Sequence, residues 1–177
     1  MKKFIFSLLM VILAMPCFAG TKMVTGSVSE LIGAKVVPVS INWNDAIYGK
    51  AGTLEDFLST AERNSDWEKA SLGYFLTRMN ESIVEYGVRV SDSQSDESKY
   101  KLEIVVNSIS KGGDIKGEIV VSAIGSTDPI AVIAFSSDDA DSNDKIAFRD
   151  QFKSIGKSLG KLFVKDFKEA EKAKKNH

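Results

Sequence analysis

The stretch of this sequence most like a ligand site is Asp138-Asp139-Ala140-Asp141-Ser142-Asn143-Asp144, in which Asp139, Asp141 and Asn143 reproduce the D-x-D-x-N opening of a calcium loop. Oxygen donors at alternate positions are what a hard cation takes in such a loop. The pattern then breaks. Asp144 stands where the loop turns on Gly, and Asp150, at its last ligand position, is a shorter carboxylate than the usual bidentate Glu. The same acids suit a helix N-terminus, where they accept free N–H groups and meet the positive end of the dipole. That reading is preferred, and no metal or other cofactor is expected.

Other catalytic constellations lack parts. The single histidine is His177, the last residue, so neither a Ser-His-Asp nor a Cys-His arrangement nor a histidine zinc site can be assembled around it. Gly112-Gly113 is not followed by the Gly-Lys-Ser/Thr of a P-loop. Ser, Lys, Asp and Glu are plentiful enough for a Ser/Lys or two-carboxylate enzyme, but no spacing singles out a pair. The expectation is a protein that is not an enzyme. What remains are Trp43 and Trp67, because indoles often anchor partner contacts. The commoner fate of a tryptophan is a place in the core with its N–H satisfied.

These residues sit on elements that the apolar spacing defines. Val37, Val39, Ile41 and Trp43 share one face of a strand, and Pro38, which cannot donate to a ladder, predicts an edge or a bulge there. An edge strand is also expected near Val28 to Ile32. Thr53 and Asp56 form a capping box opening a short helix, and Ser65 and Glu68 form another. Beyond the second box Leu72, Phe75, Leu76, Met79, Ile83 and Tyr86 make a helical stripe that ends at Gly87, a C-cap position. Val88 and Val90 suggest a short strand. Residues 100–106, 115–123 and 130–135 read as a three-stranded meander with turns at 111–114 and 125–129. A final helix from Asp144 carries Phe148, Phe152, Ile155, Leu159, Leu162, Phe163 and Phe167, and ends in a lysine-rich solvated tail. Gly156 and Gly160, four apart on that helix, are read as letting it lie close to its own sheet. The order predicts an α+β fold, a two-layer sandwich of an antiparallel or mixed sheet with two amphipathic helices on one face.

Composition agrees. Of 177 residues 44% are apolar and 27% charged, with 13 Gly, 3 Pro and 1 Cys, which excludes collagen-like, disulfide-rich and disordered chains. A net charge of −1 gives no reason to expect nucleic acid as a partner. Lys2 and Lys3, the apolar run from Phe4 to Met15, and small residues at Cys17 and Ala19 read as a signal peptide cleaved near Ala19. The run is too short to span a bilayer, so a membrane-spanning protein is not expected. Cys17 is preceded by Ala14-Met15-Pro16, a poor lipobox, so lipid anchoring is not expected either. The organisation is then a signal peptide over 1–19, an N-terminal segment with an edge strand over 20–34, and a single α+β domain over 35–177.

Ile41-Asn42-Trp43-Asn44-Asp45-Ala46, Gly52-Thr53-Leu54-Glu55-Asp56-Phe57-Leu58, Asp66-Trp67-Glu68 and Ile155-Gly156-Lys157-Ser158-Leu159-Gly160-Lys161-Leu162-Phe163 resemble segments of uncharacterised exported proteins of Bacteroides and its relatives. The order of elements is similar to periplasmic accessory domains such as the TolB N-terminal domain and the lipoprotein activators of peptidoglycan synthases. The resemblance implies export and an envelope setting, and brings no catalytic residue with it. The expected function is a non-enzymatic periplasmic accessory or interaction protein docking on another envelope protein. The alternative is a small-ligand or lipid carrier with a pocket between helices and sheet.

Overall fold

A computed structural model describes residues 20–50, 52–60, 67–137 and 144–176. The signal peptide over 1–19, Ser65 of the second capping box and the Asp139–Asn143 loop lie outside the described residues.

Strand alternation builds most of the sheet as expected. β5 (Tyr100–Ile109), β6 (Ile115–Ala123) and β7 (Pro129–Ser137) form an antiparallel meander. Gly113, with φ +94°, makes the first turn, and Ser110 Oγ accepts the Asp114 N–H there. β1 (Gly20–Gly26) adds antiparallel to β7, while β2 (Lys35–Asn42) adds parallel to β5. β4 (Val88–Ser91) lies parallel to β2, and the short β3 (Ile47–Tyr48) pairs with β5 beyond the end of β2. The result is a mixed seven-stranded sheet in the order β1-β7-β6-β5-β2-β4, with β3 off this path.

Among the described residues three α-helices accompany it. α1 (Leu54–Thr60) begins with the capping box, Asp56 accepting from both the Thr53 N–H and its hydroxyl while the Asp56 N–H donates to Thr53 Oγ1. These bonds hold the exposed Asp56 carboxyl below its usual value. α2 (Trp67–Ile83) runs into a 3-10 turn that Gly87 closes in the left-handed conformation, as its position predicts. α3 (Asp144–Lys175) is the long final helix. Phe57 of α1, Phe75, Met79 and Ile83 of α2, and Phe152, Ile155, Leu159, Phe163 and Phe167 of α3 join Leu102, Ile104, Ile119, Val121, Ile133 and Phe135 of the sheet in one buried cluster. The chain is thus an α+β sandwich with its helices on one face of the sheet.

Three local expectations are corrected. The N-terminal edge strand is Gly20–Gly26 rather than residues near Val28 to Ile32, where Ser29–Leu31 instead form a 3-10 turn. Val28 and Leu31, three apart, both bury their side chains from this single turn, and Asp166 of α3 fixes its start by accepting from Ser27 Oγ at 2.7 Å and the Val28 N–H at 2.8 Å. β2 is not an edge strand despite Pro38. Its first half, through Pro38, pairs with β4 and its second half, from Val39, pairs with β5, so the missing donor falls where the ladder changes sides. Gly156 and Gly160 face α2 rather than the sheet. A Cβ on Gly156 would come within 2.5 Å of the Phe75 carbonyl oxygen, and one on Gly160 within 2.9 Å of Ser82.

Candidate interaction surface

A sheet with helices on one side offers a partner two edges and one face. Unpaired edge groups invite another strand, and both edges here are guarded against it. At the β4 edge the Asn80 side-chain amide, reaching from α2, accepts from the Val90 N–H at 2.8 Å and donates to the Val90 carbonyl at 2.9 Å. It occupies the groups that an added strand would use. At the β1 edge the register shifts between Met23 and Thr25, a bulge, and Lys22 stands exposed beside it.

The remaining surface is the face of the sheet turned away from the helices. Paired residues of adjacent strands point the same way, so the register assigns them to rows. One row is Lys22, Ala134, Glu118, Val105 and Asn42; the next is Thr25, Val132, Val120, Glu103 and Ser40. None of these belongs to the core cluster or to the hydrophobics packed against it. Val105 and Val120 are half-buried, Val132 is 7% and Ala134 1% exposed, and Val24 at the bulge is 36% exposed. Among the described residues no helix packs on this face. Asn42 Nδ2 donates to Glu103 Oε1 at 2.8 Å and settles that carboxylate. Glu118, by contrast, has no hydrogen-bonding or ionic partner among the described residues, and its burial beside the valines pushes its carboxyl above the usual range.

The sequence signal for this patch lies in β7. Ile130-Ala131-Val132-Ile133-Ala134-Phe135 is apolar at every position, the pattern of a strand with both faces covered. Alternation in β5 and β6 draws attention to one face only, so Val105 and Val120 pass for ordinary surface residues until the register unites them with Val132.

Trp43 is placed differently. Its indole N–H donates to Glu68 Oε1 at 3.0 Å and its ring lies 6.2 Å from that of Phe152, so it ties the end of β2 to α2 and α3. Glu68 thereby serves as the indole's acceptor. Trp67 opens α2, and its side chain lies outside the described residues, as does that of Phe148. Trp43 does not lie on the bare face with the valines but packs against the core cluster.

Grooves open elsewhere on the surface. One of about 540 Å³ lies between α2 and β4, lined by Leu76, Thr77, Asn80, Val84 and Arg89, and another of about 460 Å³ lies beside Val84 and Lys161. A third, of about 350 Å³, lies beside Lys35, the one non-glycine residue with positive φ among the described residues. Lys35 spans to Glu97 at 3.0 Å, an exposed pair of small energetic consequence. Among the described residues no group of His, Cys, Asp and Glu could hold a metal ion, and no helix is long and apolar enough to cross a membrane.

No family model and no curated protein matches the sequence. Among solved structures, the PelC dodecamer from Paraburkholderia phytofirmans is similar with a TM-score of 0.44 and 11% identity, over 78% of this chain and 96% of that one. A single-substitution variant of that dodecamer gives 0.42 and 11%, over 79% and 95%. An uncharacterised protein gives 0.38 and 12%, over 78% and 94%. Likenesses this distant carry nothing about what the chain binds or does.

Proposed function

We propose that this chain is an exported, non-enzymatic accessory protein of the cell envelope that works by contact with another protein through the bare face of its sheet. Export rests on Lys2, Lys3, the apolar Phe4–Met15 run and Ala19. The contact reading is carried by β7, a strand apolar on both faces in a sheet of which the described helices cover only one. A carrier with a pocket between helices and sheet has less support, because Phe75, Phe152 and Phe163 are fully buried in that space. An enzyme has less still: among the described residues the shifted groups, Asp56, Tyr86 and Glu118, stand on three separate elements.

The experiment is in-cell photocrosslinking from position 120, with position 78 on the exposed side of α2 as the control. The expected result is one stoichiometric protein adduct from Val120 and none from Arg78. Recovery of uncrosslinked protein from both positions would refute the reading.

A further inference from the structure

The row through the centre of the bare face has a particular symmetry. Lys22, Ala134 and Glu118 are direct neighbours on β1, β7 and β6. Strands lie about 4.8 Å apart, so a cation and a carboxylate flank Ala134 at roughly equal distances on opposite sides. Positions are mirrored about β7 and charges are inverted. Along β7 itself the residues on this face are Val132, Ala134 and Ser136, all short and already buried among longer neighbours, so a second surface meets the side chains that flank them. Neither Lys22 nor Glu118 has an ionic or hydrogen-bonding partner among the described residues.

We propose that the bare face is covered by a second copy of this chain, packed sheet to sheet about a two-fold axis that runs along β7 over Val132 and Ala134. This rests on reading the face as a protein contact surface and names its occupant. Rotation about that axis sets Lys22 of each copy against Glu118 of the other, forming two identical ion pairs. It sets Val120 against Thr25 across the shielded Val132 and Ala134. The contact is isologous and closed, so it gives a dimer and not a fibre. Two sheets stacked about 10 Å apart with strands nearly aligned is an ordinary sandwich packing. Glu118 gains most from the arrangement: it is already half removed from water without a cation, and the second copy supplies one.

The test is sedimentation velocity on the exported protein, purified intact, over a concentration series reaching about 100 μM, a range that detects affinities of micromolar strength. The expected species is a dimer. Lys22→Glu and Glu118→Lys, tested separately, each create two like-charge contacts and weaken it by roughly 100-fold or more. The double variant, with both charges exchanged, restores it. Circular dichroism of all three variants separates loss of association from loss of fold, and the restored double variant does so independently. A wild-type protein that stays monomeric throughout overturns the inference, as does a dimer indifferent to both reversals. A monomer whose position 120 still crosslinks to a different envelope protein overturns the inference alone. A monomer with no crosslink from position 120 overturns the contact reading too.

Discussion

The two faces of the sheet are built from different side chains although the same strands supply both. Towards the helices β5, β6 and β7 turn Leu102, Ile104, Ile119, Val121, Ile133 and Phe135, which interlock with the phenylalanines of α2 and α3. Away from them the same strands turn Val105, Val120, Val132 and Ala134, small residues bordered by Lys22, Lys116, Glu103 and Glu118. Long aliphatic and aromatic side chains fill space within one chain and must be buried for it to fold at all. Val132 and Ala134 there are shielded by their neighbours, and the half-buried Val105 and Val120, with ionisable groups beside them, tolerate the water that remains. One face belongs to folding, and the other is the face proposed above for contact.

The strongest separation between them comes from truncation. Phe163→Ala empties a fully buried site at the centre of the helix layer and should lower unfolding free energy by about 3–5 kcal/mol. Val120→Ala on the bare face should cost under about 1 kcal/mol, since its side chain is only half-buried. Urea unfolding of both at a concentration that leaves the protein monomeric measures the difference. Equal losses would erase the distinction between the faces.

Helix glycines sharpen it next. Gly156→Ala pushes a methyl group into the Phe75 backbone and should destabilise by about 1–3 kcal/mol. Gly73→Ala, at a helical position on α2 with nothing within 4 Å of the new Cβ, should stabilise by up to about 1 kcal/mol. Opposite signs in thermal unfolding are the expected result. The β4 edge gives a third test. Asn80→Leu strips Val90 of both partners, should cost about 1–3 kcal/mol, and should speed amide exchange at Val90 more than at Val37 within the sheet.

The smallest effect concerns Asp56. Its folded carboxyl titrates below the ordinary value of 3.8, so the capping box stabilises the start of α1 above that pH and the contribution is lost as pH falls through the lowered value. An NMR titration of its carboxyl carbon should place the midpoint below 3.8. In the monomer Glu118 should move the other way, its midpoint above 4.5, because burial acts there in place of hydrogen bonds.

Periodicity read along the chain located nearly every element. The Leu72–Tyr86 stripe became α2 and its 3-10 extension, Gly87 became the left-handed cap, and residues 100–135 became the meander. Each of these follows from interactions within a few residues, and a repeat of two or three to four is visible locally. The Thr53–Asp56 box is legible for the same reason. The candidate surface was only half legible. Trp43 drew attention by its type, yet it is held by Glu68 and Phe152, while Val105, Val120 and Val132 look ordinary one strand at a time.

Determined by the sequence alone were the types of most elements beyond Lys35, the face of each that is apolar, and the α+β class. Decided only in the tertiary structure were the place of β2 between β5 and β4 in spite of Pro38, the pairing of Gly20–Gly26 with β7, and the facing of Gly156 and Gly160 to α2. The apolar face of β7 on which no described helix packs belongs with these. An apolar pattern specifies which side of an element wants burial, but what lies over that side depends on residues far away in the chain. That choice is made by the register of the sheet and the packing of helices that no local repeat encodes.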